Sequence, residues 1–369
     1  MTTLDPDTGA LSVDHPPIEL LVVGPAGHRT GGIARYIAEQ RTRLGDDVSL
    51  RVFDNATPNG SGWAWFAVAL FRALVDLLRF PFRRPPDVVH VHTSHRFSFY
   101  LSSLYVLFAA YVWRRPVVLH VHGSSFDEFV LGAPPAVGAL QSIAFSATDR
   151  VVVLSGYWRE VLERRVPPEK LFVLPNAVDA AEYDPVFGAD PPHVVFVSNH
   201  IERKGLPEFV EAVRTLKERD GGPFRVTIAG SGPLSNLAVD LADRYPDVEY
   251  RGYIAETEKR RLLDEGSIYV LPTHAEGLPI AVLEGMAGGN AIVSTDVGGI
   301  PDLVGEANGV VVPPGDVEQL TRAIERLVSS PERVRSMSEA SRRRVEERYT
   351  WDSVVEELSG LYAEIREPR

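Results

Sequence analysis

From residue 18 almost to the end of its 369 residues, the chain alternates short, unbroken apolar runs with segments whose apolar residues recur at helical spacing. Continuous apolar runs are the mark of strands buried on both faces, and strands separated by helices are joined by crossovers. The pattern therefore specifies an α/β fold with mostly parallel, doubly wound sheets. The first half offers strand candidates at 19–23, 48–53, 87–92, 117–121, 150–154 and 171–174. The second half repeats them at 194–198, 225–229, 248–250, 268–271, 291–294 and 309–312. A chain of 369 residues is too long for one ordinary core, so two similar lobes with a cleft between them are expected.

The best boundary falls at 181–192, where Pro185, Gly188, Pro191 and Pro192 interrupt any periodic pattern. This gives one domain at 18–182, a second at 193–348, and a closing helical segment at 349–369. Residues 1–17 carry Asp5, Asp7 and Asp14 with neither a basic head nor an apolar run. They read as a disordered tail and not as a secretory signal. With no cysteine, the chain has no disulfide, thiolate metal site or thiol nucleophile, and nothing points to an oxidising compartment. The formal charge of -12 opposes non-specific binding to nucleic acid or to an anionic surface, although local basic patches remain open. A cytoplasmic protein is expected.

Two apolar stretches bear on that expectation. Residues 63–71 are apolar throughout, with Arg72, Asp76 and Arg79 following at helical spacing, which predicts an amphipathic helix. Residues 97–113 carry no charge and sit at the lower limit for spanning a bilayer. Strand candidates lie only a few residues away on either side, so a buried crossover helix is the better reading. Peripheral contact with lipid headgroups, through Trp63, Trp65, Arg79, Arg83 and Arg84, is the alternative.

The most informative segment is Pro272-Thr-His-Ala-Glu276-Gly-Leu-Pro279-Ile-Ala-Val-Leu-Glu284-Gly-Met-Ala-Gly-Gly. It follows a strand candidate, and Pro279 suits the first position of a helix. Glu276 then lies on the preceding loop and Glu284 inside the helix. The amides of Gly277, Leu278, Pro279's neighbour Ile280 and the helix start form an anion site able to hold a pyrophosphate without a metal. Eight residues at helical rise place the carboxylates about 12 Å apart, too far for a glycosidase pair. That spacing suits two hydroxyl-bearing rings on either side of a pyrophosphate. The plainer alternative is a pair of solvated glutamates favoured by the helix dipole.

The segment resembles the glutamate, seven residues, glutamate motif of the family 4 glycosyltransferases, which have the GT-B fold of two Rossmann-like domains facing across a cleft. Other motifs are similar in the same order: Thr30-Gly31-Gly32-Ile-Ala-Arg, Leu174-Pro-Asn176-Ala-Val-Asp179, Ala229-Gly230-Ser-Gly232-Pro233, Arg251-Gly252-Tyr253, Val297-Gly298-Gly299-Ile-Pro-Asp302 and Gly309-Val-Val-Val-Pro-Pro-Gly-Asp316. The match extends over about residues 18–362. The resemblance implies a retaining, metal-independent transfer of a sugar from a nucleotide diphosphate sugar to a glycan, glycolipid or small hydroxylated acceptor. It implies that Glu276 contacts the sugar, Glu284 the ribose, and Lys204 the donor phosphates in a metal's place. His122 matches the histidine that reaches the reacting sugar or the acceptor. Further donor contacts fall to Gly31, Gly32, Asn199, Arg203, Gly230, Tyr253, Gly277, Leu278, Pro279 and Ile280. In relatives the closing helix returns to the first domain. One departure stands out: the family commonly has arginine five residues before Lys204, where this chain has Asn199, a hydrogen-bond donor without charge.

His90 with His92, and His120 with His122, are pairs at strand period, each projecting from one face. A histidine metal site is conceivable, but polar residues belong at strand ends of an open sheet for any ligand, and no metal or other cofactor is expected. Asp5-Pro6-Asp7, the remaining metal-like pattern, falls in the expected tail and is assigned no role. Tyr36, Phe126, Trp158 and Trp351 read as packing residues. Rival functions are a nucleotide-sugar epimerase, a phosphorylase of related fold, and a non-catalytic nucleotide-binding partner.

Overall fold

A computed structural model describes residues 2–4, 11–13, 16–26, 31–55, 62–219 and 223–366. Its strands are β1 (Thr2–Leu4), β2 (Leu11–Val13), β3 (Ile18–Gly24), β4 (Val48–Asp54), β5 (Val88–Thr93), β6 (Val117–Val121), β7 (Arg150–Val153) and β8 (Leu171–Val173) in the first half. The second half holds β9 (His193–Val197), β10 (Arg225–Ala229), β11 (Val248–Gly252), β12 (Ile268–Leu271), β13 (Ala291–Thr295) and β14 (Gly309–Val312). Each of the twelve strand candidates at 19–312 is therefore a strand, with ends shifted by at most two residues. β1 and β2 pair antiparallel within the segment expected to be a tail. Asp5, Asp7 and Thr30 lie outside the described residues.

Two six-stranded sheets result, in the orders β4-β3-β5-β6-β7-β8 and β11-β10-β9-β12-β13-β14. In both, the chain starts in the interior of the sheet, adds strands to one side, and then crosses back to build the other. In the second sheet the reversal falls between β9 and β12, which pair parallel through Ile268 with Val194 and Tyr269 with Val195. Loops leaving the carboxyl ends of strands on either side of such a reversal diverge and leave a crevice where ligands bind. Both sheets are buried on both faces: Leu20, Val22, Val88, Val89 and Val91 in one, and Val194, Val195, Phe196, Ile268 and Val270 in the other, have almost no exposure.

The chain divides into two compact units, one comprising Met1–Val121, Ala136–Val152 and Val355–Arg369, the other His122–Pro135 and Val153–Val354. Residues 183–192 form no helix or strand. They are nonetheless tied down within the second unit, where the Val186 amide donates to Asp264 O at 2.8 Å. In the first unit, the closing helix Trp351–Arg366 buries Tyr362 completely. The Tyr362 hydroxyl receives the Gln40 amide at 2.8 Å and lies 2.5 Å from His90 Nδ1. Arg150 pairs with Glu364, and Arg366 donates to Pro16 O at 3.0 Å.

Residues 97–113 form the helix Phe97–Phe108 and a π turn, Ala109–Trp113, which bury Phe99, Tyr105, Val106 and Ala109. Among the described residues no helix is long and apolar enough to cross a membrane. The helix Gly62–Arg79 forms as expected but faces the other way from an ordinary amphipathic helix. Its buried residues are Ala69, Ala73 and Asp76, and its large apolar side chains are mostly exposed. Apolar residues occupy nearly its whole circumference, so the small alanines, which allow close approach, decide the packed side.

Two measurements probe this framework. Tyr362→Phe leaves a buried amide and imidazole without their hydroxyl and is expected to cost about 1–3 kcal/mol, and Tyr362→Ala about 3–5 kcal/mol, in urea unfolding. In the second unit, His193 binds Thr227 Oγ1 at 2.8 Å and Glu265 O at 3.2 Å, and His200 binds Ser235 Oγ at 3.0 Å. Burial lowers the pKa of both below the usual imidazole value. The folded chain therefore resists protons that the unfolded chain accepts below about pH 6.5, and stability falls as the pH drops through that value. The urea midpoint should decline from neutral pH to pH ~5, and His193→Gln should flatten the decline.

Candidate functional site

The crevice between the β9 and β12 loops assembles the best-defined polar site of the second unit. After β9, a single 3-10 turn, Glu202–Lys204, ends at Gly205, whose φ of 73° is left-handed. A Cβ there would sit 1.9 Å from the carbonyl oxygen of Pro272, so only glycine lets this turn press against the exit of β12. The Arg203 carbonyl then accepts the His274 amide at 2.8 Å and the Thr273 hydroxyl at 2.8 Å. This stitching places Lys204 Nζ in direct contact with Glu276 Oε1. Arg203 Nη1 donates to Ala275 O at 2.7 Å and lies 3.4 Å from the same carboxylate oxygen. Thr273 Oγ1 is 3.2 Å away. Glu276 is buried, and two cations compensate its charge.

The backbone around Glu276 is held from the other side as well. Gly298, with φ 54°, follows β13 and brings its Cα so close that a Cβ would meet Glu276 O at 1.9 Å. The Gly277 carbonyl accepts both the Gly299 amide and Trp158 Nε1 at 2.8 Å, and Leu278 O accepts Asn176 Nδ2 at 2.6 Å. Trp158 thus packs, as expected, but also supplies a hydrogen bond to the central loop. A Cβ on Gly277 would lie 3.3 Å from the carbonyl oxygen of His122, which puts the start of the 122–135 segment beside the glutamate loop. Desolvation lowers the His122 pKa to about 3, so its imidazole is neutral at physiological pH.

The following helix is Ile280–Ala287, with Pro279 as the residue before its first turn. The expected position of Pro279 is therefore corrected by one residue: its ψ of 115° is extended, and it caps the helix from outside. The first turn carries no acid. Its leading amides, at Ile280 and Ala281, have no carbonyl within the helix to bind, which leaves an anion-binding terminus one residue beyond the glycine loop. Glu284, one turn further on, is buried and lies 2.8 Å from Lys259 Nζ, which also pairs with Glu256 at 2.8 Å. Nothing in the sequence links Lys259 to Glu284. The visible signal is only Glu256 and Lys259 at helical spacing.

The loops after β9, β10 and β11 lock together beside this site. Gly230 and Gly232 lie so close to Ser198 and His200 that Cβ atoms would meet their carbonyl oxygens at 1.9 and 2.4 Å. The Gly230 amide donates to Gly252 O at 2.7 Å. Asn199 and Tyr253 project from these loops and are exposed. A cavity of about 400 Å³ adjoins Glu276 and is lined by Asp127, Tyr157, His274, Gly298 and Asp302, among others. Its volume is on the scale of small-molecule sites, roughly 300–1,000 Å³. Tyr157 donates to Asp127 Oδ2 at 2.6 Å, and Asp302 Oδ2 accepts the Gly156 amide at 2.8 Å.

The structure thus brings together His122, Arg203, Lys204, Glu276, Gly277, Leu278, Pro279, Ile280 and Glu284, with Asn199, Gly230 and Tyr253 on neighbouring loops. Gly31 and Gly32 belong to the first unit, where they open the helix Gly32–Arg43 at the carboxyl edge of its sheet. Three of the four strand histidines, His90, His92 and His120, also meet in that unit, with ligand atoms within 4.8 Å of one another. Their rings are stacked, however, at 12° between His90 and His92 and 20° between His90 and His120. A metal lies about 2.0–2.1 Å from nitrogen, along its lone pair and in the ring plane, and stacked planes do not share such a point. Gln40 and Tyr362 hydrogen-bond within the cluster, as in a packed polar core.

Residues 30–182 match the model of glycosyltransferase family 4, and residues 191–330 match that of the group 1 glycosyl transferases. An MMP alpha-(1->4)-mannosyltransferase of Mycolicibacterium hassiacum is 27% identical over 260 residues, 69% of this chain and 60% of the relative. The colanic acid biosynthesis glycosyltransferase WcaL of Escherichia coli, so named putatively, is 30% identical over 59% of this chain and 57% of its own length. The chain therefore spans under two thirds of the length of both. Alpha-D-kanosaminyltransferase of Streptomyces kanamyceticus is 26% identical over 93% of this chain and 84% of its own. Among solved structures, sucrose-phosphate synthase of Thermosynechococcus elongatus superposes with a TM-score of 0.73 at 18% identity, covering 94% of this chain and 98% of that one. HepE of Anabaena in complex with UDP does so with 0.71 at 14%, covering 94% and 100%. These likenesses establish the GT-B fold, and with both family models matched the chain belongs to the group 1 glycosyltransferases of family 4.

Proposed function

We propose that this chain transfers a sugar from a nucleoside diphosphate sugar to a hydroxyl-bearing glycan, lipid-linked or small acceptor, with retention of configuration and without a metal. The observation that carries this reading is the Lys204–Glu276 contact across the β9–β12 crevice, directly before an acid-free helix terminus that leads to buried Glu284. Lys204, Arg203 and the leading amides supply the positive field that a metal would otherwise bring to the two phosphates. Donor binding would draw Lys204 from Glu276 onto the phosphate, leaving Glu276 to accept hydroxyl hydrogens from the sugar, while Glu284 receives the ribose hydroxyls.

In this reading Glu276 is taken up with the sugar's hydroxyls and is assigned no part as a covalent nucleophile. That favours a front-side reaction: the bond from the anomeric carbon to the phosphate oxygen breaks, the acceptor oxygen bonds to that carbon, and its proton passes to the departing phosphate. Neutral His122 would contribute a hydrogen bond without adding charge. HepE of Anabaena, a neighbour of this fold, was solved both with UDP and with UDP-glucose, which supports a nucleotide-sugar donor.

The expected outcomes are specific. A panel of nucleotides and nucleotide sugars should contain one that raises the melting temperature by several degrees at saturation, since binding at a hundred times Kd adds about 2.7 kcal/mol. Glu284→Ala should lose that shift, and an equal shift in both proteins would reject the ribose assignment. Lys204→Ala should lower kcat by about 10²–10³ and lower the melting temperature while the chain still folds, since Arg203 remains beside Glu276, and EDTA should leave the wild-type rate unchanged. NMR of the product should show the donor's anomeric configuration, while donor isomerised in the absence of acceptor would point to an epimerase instead.

A further inference from the structure

The helix Gly62–Arg79 presents its bulk outward. Trp63, Phe66, Leu70, Leu74 and Leu78 recur at steps of three and four residues and are all exposed, Trp63 by 88%. Phe71 and Phe82 flank this stripe at 69% and 90%. At 1.5 Å per residue the stripe, from Trp63 to Leu78, runs about 23 Å. On the neighbouring helix, Phe97, Tyr100 and Leu104 form a second exposed stripe, continued by Tyr111 and Val112 in the π turn. Both helices are right-handed crossovers that move in the same direction along the order β4-β3-β5-β6, so they cover the same face of the first sheet. Phe80 joins them, its ring packing at a tilt on Trp113 at 4.6 Å and meeting Phe108 at 5.7 Å. Monomeric proteins rarely leave so continuous an apolar surface to water.

The charge on this face has one sign. Between residues 62 and 86 the sole acid is Asp76, which is buried, and between 94 and 115 there is none. Arg79 ends the first helix, Arg83 and Arg84 follow it, and Arg114 and Arg115 follow the second, all exposed. Because both crossovers run antiparallel to the strands, these five arginines gather at the same edge of the sheet. On a chain of net charge -12, a purely basic rim around an apolar stripe with tryptophan at its start is complementary to an anionic, interfacial surface.

We propose that this face of the first unit docks on an anionic membrane, laying the Gly62–Arg79 helix in the boundary between headgroups and acyl chains while the arginines engage lipid phosphates. This inference is independent of the sugar-transfer chemistry. The test is flotation of the full chain with vesicles of phosphatidylcholine alone or with added phosphatidylglycerol, at low and high salt. The wild type should float with the anionic vesicles and be released by salt. Replacing Arg79, Arg83 and Arg84 by glutamine should weaken that partition on the order of a hundredfold, at about fivefold per arginine. Trp63→Ala with Phe71→Ser should weaken it while unfolding at the wild-type temperature, since both side chains are exposed. Failure of the wild type to float with anionic vesicles, or undiminished binding by the Trp63 and Phe71 variant, would overturn the proposal. So would a concentration-dependent dimer abolished by Phe71→Ser, which would make a second copy the occupant.

Discussion

The buried carboxylate of Glu276 could not exist in this fold without the cations that reach it from the opposite side of the crevice. An unpaired buried charge costs several kcal/mol, so Lys204 and Arg203 are conditions of the loop's conformation. Their arrival depends in turn on Gly205 lying against Pro272 and on Gly298 lying against the Glu276 backbone. The first approach is available because the reversal of strand order makes β9 and β12 neighbours, and the second because β13 lies on the other side of β12. The order of the sheet, two glycines and one ion pair therefore form a single dependency, and a change at any of them is transmitted to the same carboxylate.

Beneath the loop, Tyr269 ties the two halves of the site together. Its hydroxyl donates to Val197 O, at the end of β9, at 3.0 Å, and its ring packs so closely on Gly285 that a Cβ there would meet it at 2.7 Å. Burial, and then the fields of Glu284 and Glu276, raise its pKa well above the usual phenol value, so it remains a donor. A rigid aromatic floor under both glutamates, with Lys259 closing over the second, fixes their positions before any ligand arrives. Fixed dipoles and charges need no reorganisation when charge develops, which is the condition for electrostatic catalysis.

Most of the fold was legible in the sequence because parallel strands buried on both faces read as unbroken apolar runs, and residues 19–23, 117–121 and 268–271 needed nothing more. The glutamate segment was legible for a different reason: its proline, glycines and acids are close together in the chain. What the sequence hides is long-range or inverted. Lys259 meets Glu284 only through the fold, and the motifs that carry Lys204 and Glu276 give no sign that the two side chains bind one another. The helix at 62–79 has apolar residues around nearly all of its surface, so periodicity could not show that Ala69 and Ala73 face inward. Local pattern specifies which elements form, whereas relative side-chain size and tertiary pairing decide what each one touches.

The same distinction bears on Asn199. As a sequence feature it removes a positive charge from the phosphate side of the proposed site. In the fold, Gly230 and Gly232 pack against the carbonyls of Ser198 and His200 on either side of it, and Asn199 itself is exposed. The charge is present one turn later, since Arg203 and Lys204 together exceed the single carboxylate they hold, leaving a local excess of one positive charge beside a helix terminus worth about half of another. A diphosphate carries two negative charges, so the balance is close to neutral once Lys204 has exchanged Glu276 for phosphate. Under the proposed function the cradle is therefore rearranged and not lost: the cation comes from the turn that contacts Glu276, and phosphate binding becomes coupled to the release of the carboxylate that must then hold the sugar.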